Sequence, residues 1–318
     1  MNVNTSLRLL AAAGAVLLAG ACGTGGQDAG APAAAGGGQK PVSTTARDWK
    51  GVADALGREG KVMGGTVYRV ALPRGDLKVT SYGVQVKAGL ALGSYAAFAR
   101  YPGGQNLAMG DLVVTEKELP KVTDALQKAG IDQTALHKHL LAQTPQIWWT
   151  HFHATGTNQE KIARGLKAVL DATGTPPSAK PTSPGPVGLD TRAIDKALGT
   201  KGTSEGGIYK FTFAHNQTIT AHGRVLPPAM GVTTAINFQP TGGGKAAING
   251  DFAMTAGEVQ KVIKALRAGG IDIVELHNHA LDDDPRLFYL HFWANDNAVK
   301  LARGLGHAVD NQDVKPAG

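Results

Sequence analysis

The stretch GIDQTALHKHLLAQTPQIWWTHF (130–152) returns as GIDIVELHNHALDDDPRLFYLHF (270–292), at a constant offset of 140 residues and without a gap. The flanks repeat as well. Gly110-Asp111 matches Gly250-Asp251 at the same offset, Ala163-Arg164-Gly165-Leu166 matches Ala302-Arg303-Gly304-Leu305 at 139, and Leu56 and Gly65 match Leu198 and Gly207 at 142. A period this long exceeds that of solenoid repeats and marks two related globular domains.

Each copy reads in the same way. Trp49, Val52, Ala53 and Leu56 fall at helical spacing, as do Ile194, Ala197 and Leu198 in the second copy. Extended segments are expected at 66–72, 77–86 and 94–101, then at 207–214, 217–225 and 232–239, with Gly-rich turns between several of them. A strand ending near Val114 or Ala253 precedes a helix that starts at Thr115 or Thr255. Two more strands carry the histidines, and a closing helix carries Ala-Arg-Gly-Leu. The order αββββαββα, strands broken by few helices, predicts an α+β fold: two duplicated α+β domains, each with a mainly antiparallel sheet and flanking helices. The repeat domains are placed at 47–172 and 189–312, with a short tail at 313–318. Between them TGTPPSAKPTSPGPVG (173–188) has the Pro/Gly composition of a linker.

The chain begins with export signals. Arg8 precedes an apolar run from Leu9 to Leu18, shorter than the roughly 20 residues that span a bilayer. Ala19-Gly20-Ala21-Cys22 follows, resembling a lipobox with Ala19 where leucine is commoner. We expect a signal peptide at 1–21, a lipidated Cys22 and a flexible tether over 22–46, giving a protein held to the outer face of a bacterial cell membrane. Of the 318 residues, 42% are hydrophobic, enough for real cores and too many for a wholly disordered chain. Lys+Arg 32 against Asp+Glu 25 gives a net charge of +7, compatible with an anionic partner without requiring one. Cys22 is the sole cysteine, which excludes an internal disulfide and a cysteine zinc site.

Histidine is the strongest chemical signal. His137-x-His139 is followed by His151, and His277-x-His279 by His291. Alternate strand residues share a face, so each His-x-His presents both rings together. With a bend centred near Pro145 or Pro285, His139 faces His151 and His279 faces His291. Three imidazoles of one repeat would then meet a divalent metal such as zinc. The other reading is structural: rings bonding backbone or one another in a half-buried sheet.

The copies also differ. His153 stands where the second copy has Trp293, and Glu275 where the first has Ala135. Glu275 would orient an imidazole or act as a general base, and these differences favour the second copy as the active one. Asp111 and Asp251 follow a glycine near a strand end, as a fourth ligand or base, or as turn acceptors. Glu118 and Glu258 instead fit capping boxes with Thr115 and Thr255. Arg224 to Gly231, with its Pro-Pro pair, has no close counterpart in the first copy and would line a pocket with His222 or form a rigid connection. Arg164 and Arg303 fit surface ion pairs or an anionic ligand. Trp148, Trp149, Phe288, Tyr289 and Trp293 fit a sheet core. Phosphate-loop, nucleophile-elbow and RNA-binding signatures are absent from the sequence, which argues against nucleotide and nucleic-acid partners.

At LPPAMGVTTAINFQPTGGGKAAINGDF (226–252), LHNHALDDDPRLFYLHFWAND (276–296) and KLARGL (300–305) the chain resembles the LppY/LpqO family of lipoproteins, built on a domain of unknown function that often occurs in tandem. The likeness is close over 205–310 and weaker over 47–171, where His153 replaces the tryptophan and the Pro-Pro loop is missing. It implies the tandem architecture and the envelope address, and no substrate. The leading expectation is an envelope-associated protein that binds a small-molecule or anionic ligand through a pocket including His277, His279 and His291. The rivals are a metal-dependent hydrolase, with Glu275 or Asp251 moving the proton, and a structural or interaction module.

Overall fold

The computed structural model describes residues 37–177 and 185–317. The expected signal peptide and Cys22 lie outside the described residues, as does part of the expected linker. The first repeat runs α1 (Lys50–Leu56), β1 (Lys61–Met63), β2 (Val67–Pro73), β3 (Val79–Ser81), β4 (Val84–Val86), α2 (Ala88–Ala91), β5 (Gly93–Tyr101), β6 (Gln105–Thr115), α3 (Leu119–Ala129), β7 (Asp132–His137), β8 (Gln143–Thr144), β9 (Ile147–Gly156) and α4 (Gln159–Asp171). The second runs α5 (Thr191–Leu198), β10 (Thr203–Glu205), β11 (Ile208–His215), β12 (Thr220–Ala221), β13 (Arg224–Val225), β14 (Thr233–Gly242), β15 (Lys245–Thr255), α6 (Ala256–Ala268), β16 (Asp272–His277), β17 (Leu287–Asn297), α7 (Ala298–Val309) and β18 (Val314–Pro316). The main sheets are antiparallel, ordered β1-β2-β5-β6-β9-β7 and β10-β11-β14-β15-β17-β16, with β18 also paired to β11. The fold is α+β and duplicated.

Alternation along the central strands decides how the layers stack. On β6, Ala108, Leu112 and Val114 face the core beneath helices α1, α3 and α4, while Leu107, Met109 and Val113 face the other way. On β17, Leu290, Phe292 and Ala294 face the helices, and Leu287, Tyr289 and Trp293 do not. Both faces are apolar, so both must be covered. Helices cover one face of each sheet, and the two sheets cover each other. Leu107 and Met109 of the first repeat pack with Leu226, Met230 and Tyr289 of the second, and Val113 and Trp149 pack with Ala247 and Trp293. The result is four layers, helix–sheet–sheet–helix. Each copy has its own helix-side core, and the copies share the cores between the sheets.

Local sequence accounts for the helix ends and their close packing. Asn158 and Asn297 cap α4 and α7 by accepting from Lys161 N at 2.9 Å and Lys300 N at 3.0 Å. Thr255 and Glu258 form the capping box of α6. The same reciprocal bonds between Thr115 and Glu118 instead close a turn ahead of α3, which starts at Leu119 rather than at the expected Thr115. Glu118 also receives the buried Arg74, which reaches Asp76 and Val113 O as well. The glycine of Ala-Arg-Gly-Leu has a steric reason: a Cβ on Gly304 would stand 3.0 Å from Gly269 Cα, so α7 closes on the end of α6 only without a side chain there.

Four expectations are corrected or refined. Residues 37–45, inside the stretch read as a tether, pack on the body: Gln39 N donates to Gly223 O at 2.9 Å and Val42 N to Arg100 O at 2.8 Å. The tail includes β18, because Val314 to Pro316 finds unpaired edge on β11. The expected linker is anchored at both ends, with Gly174 N on Glu118 Oε1 at 2.6 Å and Val187 buried in the second core. The Pro-Pro segment does have a counterpart: its helical turn at Pro228–Met230 matches α2, and each turn crosses onto the other repeat's sheet.

Candidate metal centre

The two shared sheet faces meet at the histidines. β9 carries His151 and β17 carries His291 at mid-strand, on the faces turned to the other repeat. Asp111 lies directly opposite His151 on β6, and Asp251 directly opposite His291 on β15. His137 and His277 end β7 and β16, with His139 and His279 just beyond. The hairpin register differs from the expected one. His137 pairs with Trp149 and Ala135 with His151, and likewise His277 with Tyr289 and Glu275 with His291. The bend is thus centred two residues before each proline, with a bulge after Gln133 and Ile273, and His139 and His279 do not face the third histidine of their own repeat.

They stack on the third histidine of the other repeat instead. His139 lies 3.7 Å from His291, and His279 lies 3.7 Å from His151, ring centre to ring centre. His137 and His277 stack on each other at 3.8 Å. Trp149 extends the first stack beneath His139 at 4.3 Å, and Tyr289 extends the second beneath His279 at 3.5 Å. The six rings are related by an approximate twofold axis between the repeats. The expected convergence of three imidazoles holds for His277, His279 and His291 of the second repeat, but not by the expected facing pairs, and His137 of the first repeat joins them. Trp149 and Tyr289, read from sequence as sheet core, are also the bases of the stacks.

Hydrogen bonds across the repeats fix the His-x-His segments. Glu275 Oε2 accepts from Lys138 N at 2.5 Å, Thr134 Oγ1 donates to His279 O at 2.6 Å, and Asn249 Nδ2 donates to His139 O at 2.7 Å. Glu275 is therefore a clamp on the partner repeat's backbone, and its expected role as base or imidazole orienter is corrected. Neither aspartate is a turn acceptor, since each sits in mid-strand. Asp111 Oδ2 stands 3.6 Å from His139 Nε2, and Asp251 Oδ2 stands 3.6 Å from His279 Nε2.

The other expected site residues scatter. His153 is buried two residues beyond His151, near His222. Arg224 donates to His222 O and lies over the Tyr101 ring. Trp293 is buried in the shared core. Arg303 is exposed on α7, across the sheet from the histidines, and Arg164 pairs with Glu160.

Burial sets the charge state. Desolvation, then the neighbouring rings, hold His137, His139, His151 and His279 well below the ordinary histidine range. His291 is lowered in the same way, mainly by burial. Desolvation brings His277 and His153 down to about 4. It raises Asp111 and Asp251 well above the usual carboxylate range. The rings are therefore neutral, with lone pairs free to ligate.

Several of those lone pairs have no protein partner. His291 Nδ1 donates to Gly250 O at 2.8 Å, which leaves Nε2 as an acceptor with nothing to accept from. His151 Nε2, Asp111 Oδ1 and Asp251 Oδ1 are likewise buried and unpartnered. An orphaned buried polar atom costs about 1–3 kcal/mol, so a group of them calls for a shared partner. The spacing suits a cation. His137 and His139 approach Nε2 to Nε2 at 3.0 Å, as do His277 and His279. Two nitrogens each about 2.1 Å from one ion stand about 3.0–3.4 Å apart. One ligand atom from each of His137, His277, His279 and His291 fits within a mutual distance of 4.8 Å. Beside the rings lies a cavity of about 10 Å³ bounded by Tyr95, His151, Asp283, His279 and Tyr289, room for about one water.

A pH dependence follows for the metal-free chain. An unfolded histidine titrates near 6.5, whereas His153 and His277 titrate at about 4 in the fold. Their contribution is full above 6.5 and is lost as pH falls toward 4, about 3 kcal/mol for each ring. Asp111 and Asp251 act oppositely, since acidification relieves the cost of their buried carboxylates. Seven depressed rings outweigh two carboxylates, so the melting temperature is expected to fall steadily from pH 7 to pH 4. A melting temperature that holds level over that range contradicts neutral buried rings.

A tandem α+β protein with a histidine–aspartate centre between its halves is the class that fold and site define. The chain belongs to the family described as Domain of Unknown Function (DUF1259), whose model matches residues 50–172 and again 192–311. No curated protein matches the sequence. Among solved structures, the double-ringed trimeric shell protein MSM0271 from the RMM microcompartment is 13% identical, covering 65% of this chain and 82% of that one at a TM-score of 0.18. EtuB from Clostridium kluyveri is 10% identical, covering 82% of this chain and 96% of that one at a TM-score of 0.21. Likenesses of this size carry no inference about fold or function.

Proposed function

We propose that the chain is a metal-binding protein holding one divalent first-row ion between its repeats, in an envelope lipoprotein of the LppY/LpqO type anchored through Cys22. The observation that carries the metal reading is the meeting of neutral, unpartnered imidazoles from both repeats beside two aspartates. Imidazole suits zinc, copper, iron and nickel. A cation would reverse the local penalty on the carboxylates, and two carboxylates balance one divalent charge. The lipid anchor and envelope address rest on the Leu9–Leu18 run and Ala19-Gly20-Ala21-Cys22. The one-water cavity favours an ion, with at most a water or diatomic beside it, over the larger organic ligand or hydrolase substrate the sequence suggests.

Metal analysis by mass spectrometry on the full chain, purified without chelator, tests the proposal. About one divalent ion per chain is expected, and its removal by chelation is expected to lower the melting temperature, since an ion bound only by the native state stabilises it. A chain that takes up no ion from zinc, manganese, iron or copper ends the proposal.

A further inference from the structure

We infer that His153, His222 and Asp282 form a second, solvent-connected site for a divalent first-row metal ion, separate from the central histidines. His153 is 2% exposed, and neither of its ring nitrogens has a hydrogen-bond partner. A buried imidazole with two orphaned nitrogens is costly, and the polar ring it faces is His222, at 5.9 Å between centres and an interplanar angle of 66°. Two imidazoles on one ion, each nitrogen about 2.1 Å from it, place their ring centres about 5–6 Å apart. His222 Nδ1 stands 3.1 Å from Asp282 Oδ2, and both side chains reach solvent, at 30% and 42% exposure. The same carboxylate accepts from His222 N at 2.8 Å, which holds the loop in place. The neighbouring Arg224 guanidinium is engaged by His222 O and Gln105.

The approximate twofold supplies a control within the molecule. Positions corresponding to His153, His222 and Asp282 are Trp293, Tyr82 and Ala142. His222 and Tyr82 share a left-handed backbone, at φ 51 and φ 46, so the scaffold is kept while every ligating side chain is replaced. Ligands are therefore present together on one side and absent together on the other. Two histidines and a carboxylate, with positions left open to water, match a borderline divalent ion held more weakly than in a closed site. His153 lies about 7 Å along β9 from His151, which puts an ion held there next to the centre.

The test is a cobalt(II) titration of the full chain, followed by visible absorption, with the central site silenced by His277→Ala/His279→Ala. That chain is expected to bind one cobalt ion, and adding His153→Trp or His222→Tyr, residues the other side already carries, is expected to weaken it at least about 10-fold. Binding that is absent, or unchanged by both additions, overturns the proposal. Should the silenced chain fail to fold, the cobalt titrations of wild type and His153→Trp are compared, where the weaker of the two binding steps is expected to shift at least about 10-fold and coincident titrations overturn it. Failure of the central site reads differently: wild type and the silenced chain then bind equal numbers of ions.

Discussion

His137→Ala, a change confined to the first repeat, is expected to strip the central metal as fully as His277→Ala/His279→Ala does in the second. His137 stacks 3.8 Å from His277 and belongs to the ligand group completed by His279 and His291. Substitution of groups that merely orient a ligand weakens metal sites by 10–100-fold, so loss of a ring that binds directly is expected to cost at least about 100-fold, or about 2.7 kcal/mol. Isothermal titration with zinc on both variants, each carrying His153→Trp to remove the second site, checks this. Independent sites in each repeat would instead leave half the metal in each variant, and that outcome refutes a shared centre.

Gly250→Ala is expected to destabilise the protein by about 3 kcal/mol or more, with Gly110→Ala close behind. A Cβ on Gly250 would meet Ala235 O at 2.0 Å and the Phe292 ring at 2.9 Å, and one on Gly110 would meet Tyr95 O at 2.2 Å and the Phe152 ring at 2.5 Å. The obstructing carbonyls belong to the next strand, so relief means moving backbone in mid-sheet. Each glycine also precedes the aspartate of the centre, and the variant is expected to lose metal affinity as well. Gly257→Ala serves as the contrast. Its Cβ would meet nothing within 4 Å at the start of α6, so it is expected to be neutral or slightly stabilising. Thermal melts of the three variants decide it, and an unchanged melting temperature for Gly250→Ala contradicts the close approach.

Much of the architecture was legible in the chain. Repetition of GIDxxxLHxH and of Gly-Asp marks the duplication, and Thr255-x-x-Glu258 marks a capping box that forms, while the Thr115–Glu118 pair bonds in a turn before α3. The six central histidines and both aspartates could be picked out because period-two alternation fixes which strand residues share a face. Their assembly could not. A strand shows that Val113 and Trp149 are apolar on the face away from the helices, and not that Ala247 and Trp293 will cover them. The hairpin register depended on a bend centred two residues before each proline, which no residue type announces. Glu275 was misread for the same reason: the Lys138 N–H it accepts from is contributed by the other repeat.

The approximate twofold between the repeats makes this chain, in effect, a dimer written as a single polypeptide. One copy alone would present an apolar sheet face and an incomplete set of ligands, and two such copies would have to find each other by diffusion. The covalent connection replaces that search with a fixed local concentration, so the centre can form in a dilute chain. It also lets the halves diverge. In a true homodimer any change appears twice, whereas here His153 could arise against Trp293 on one side alone.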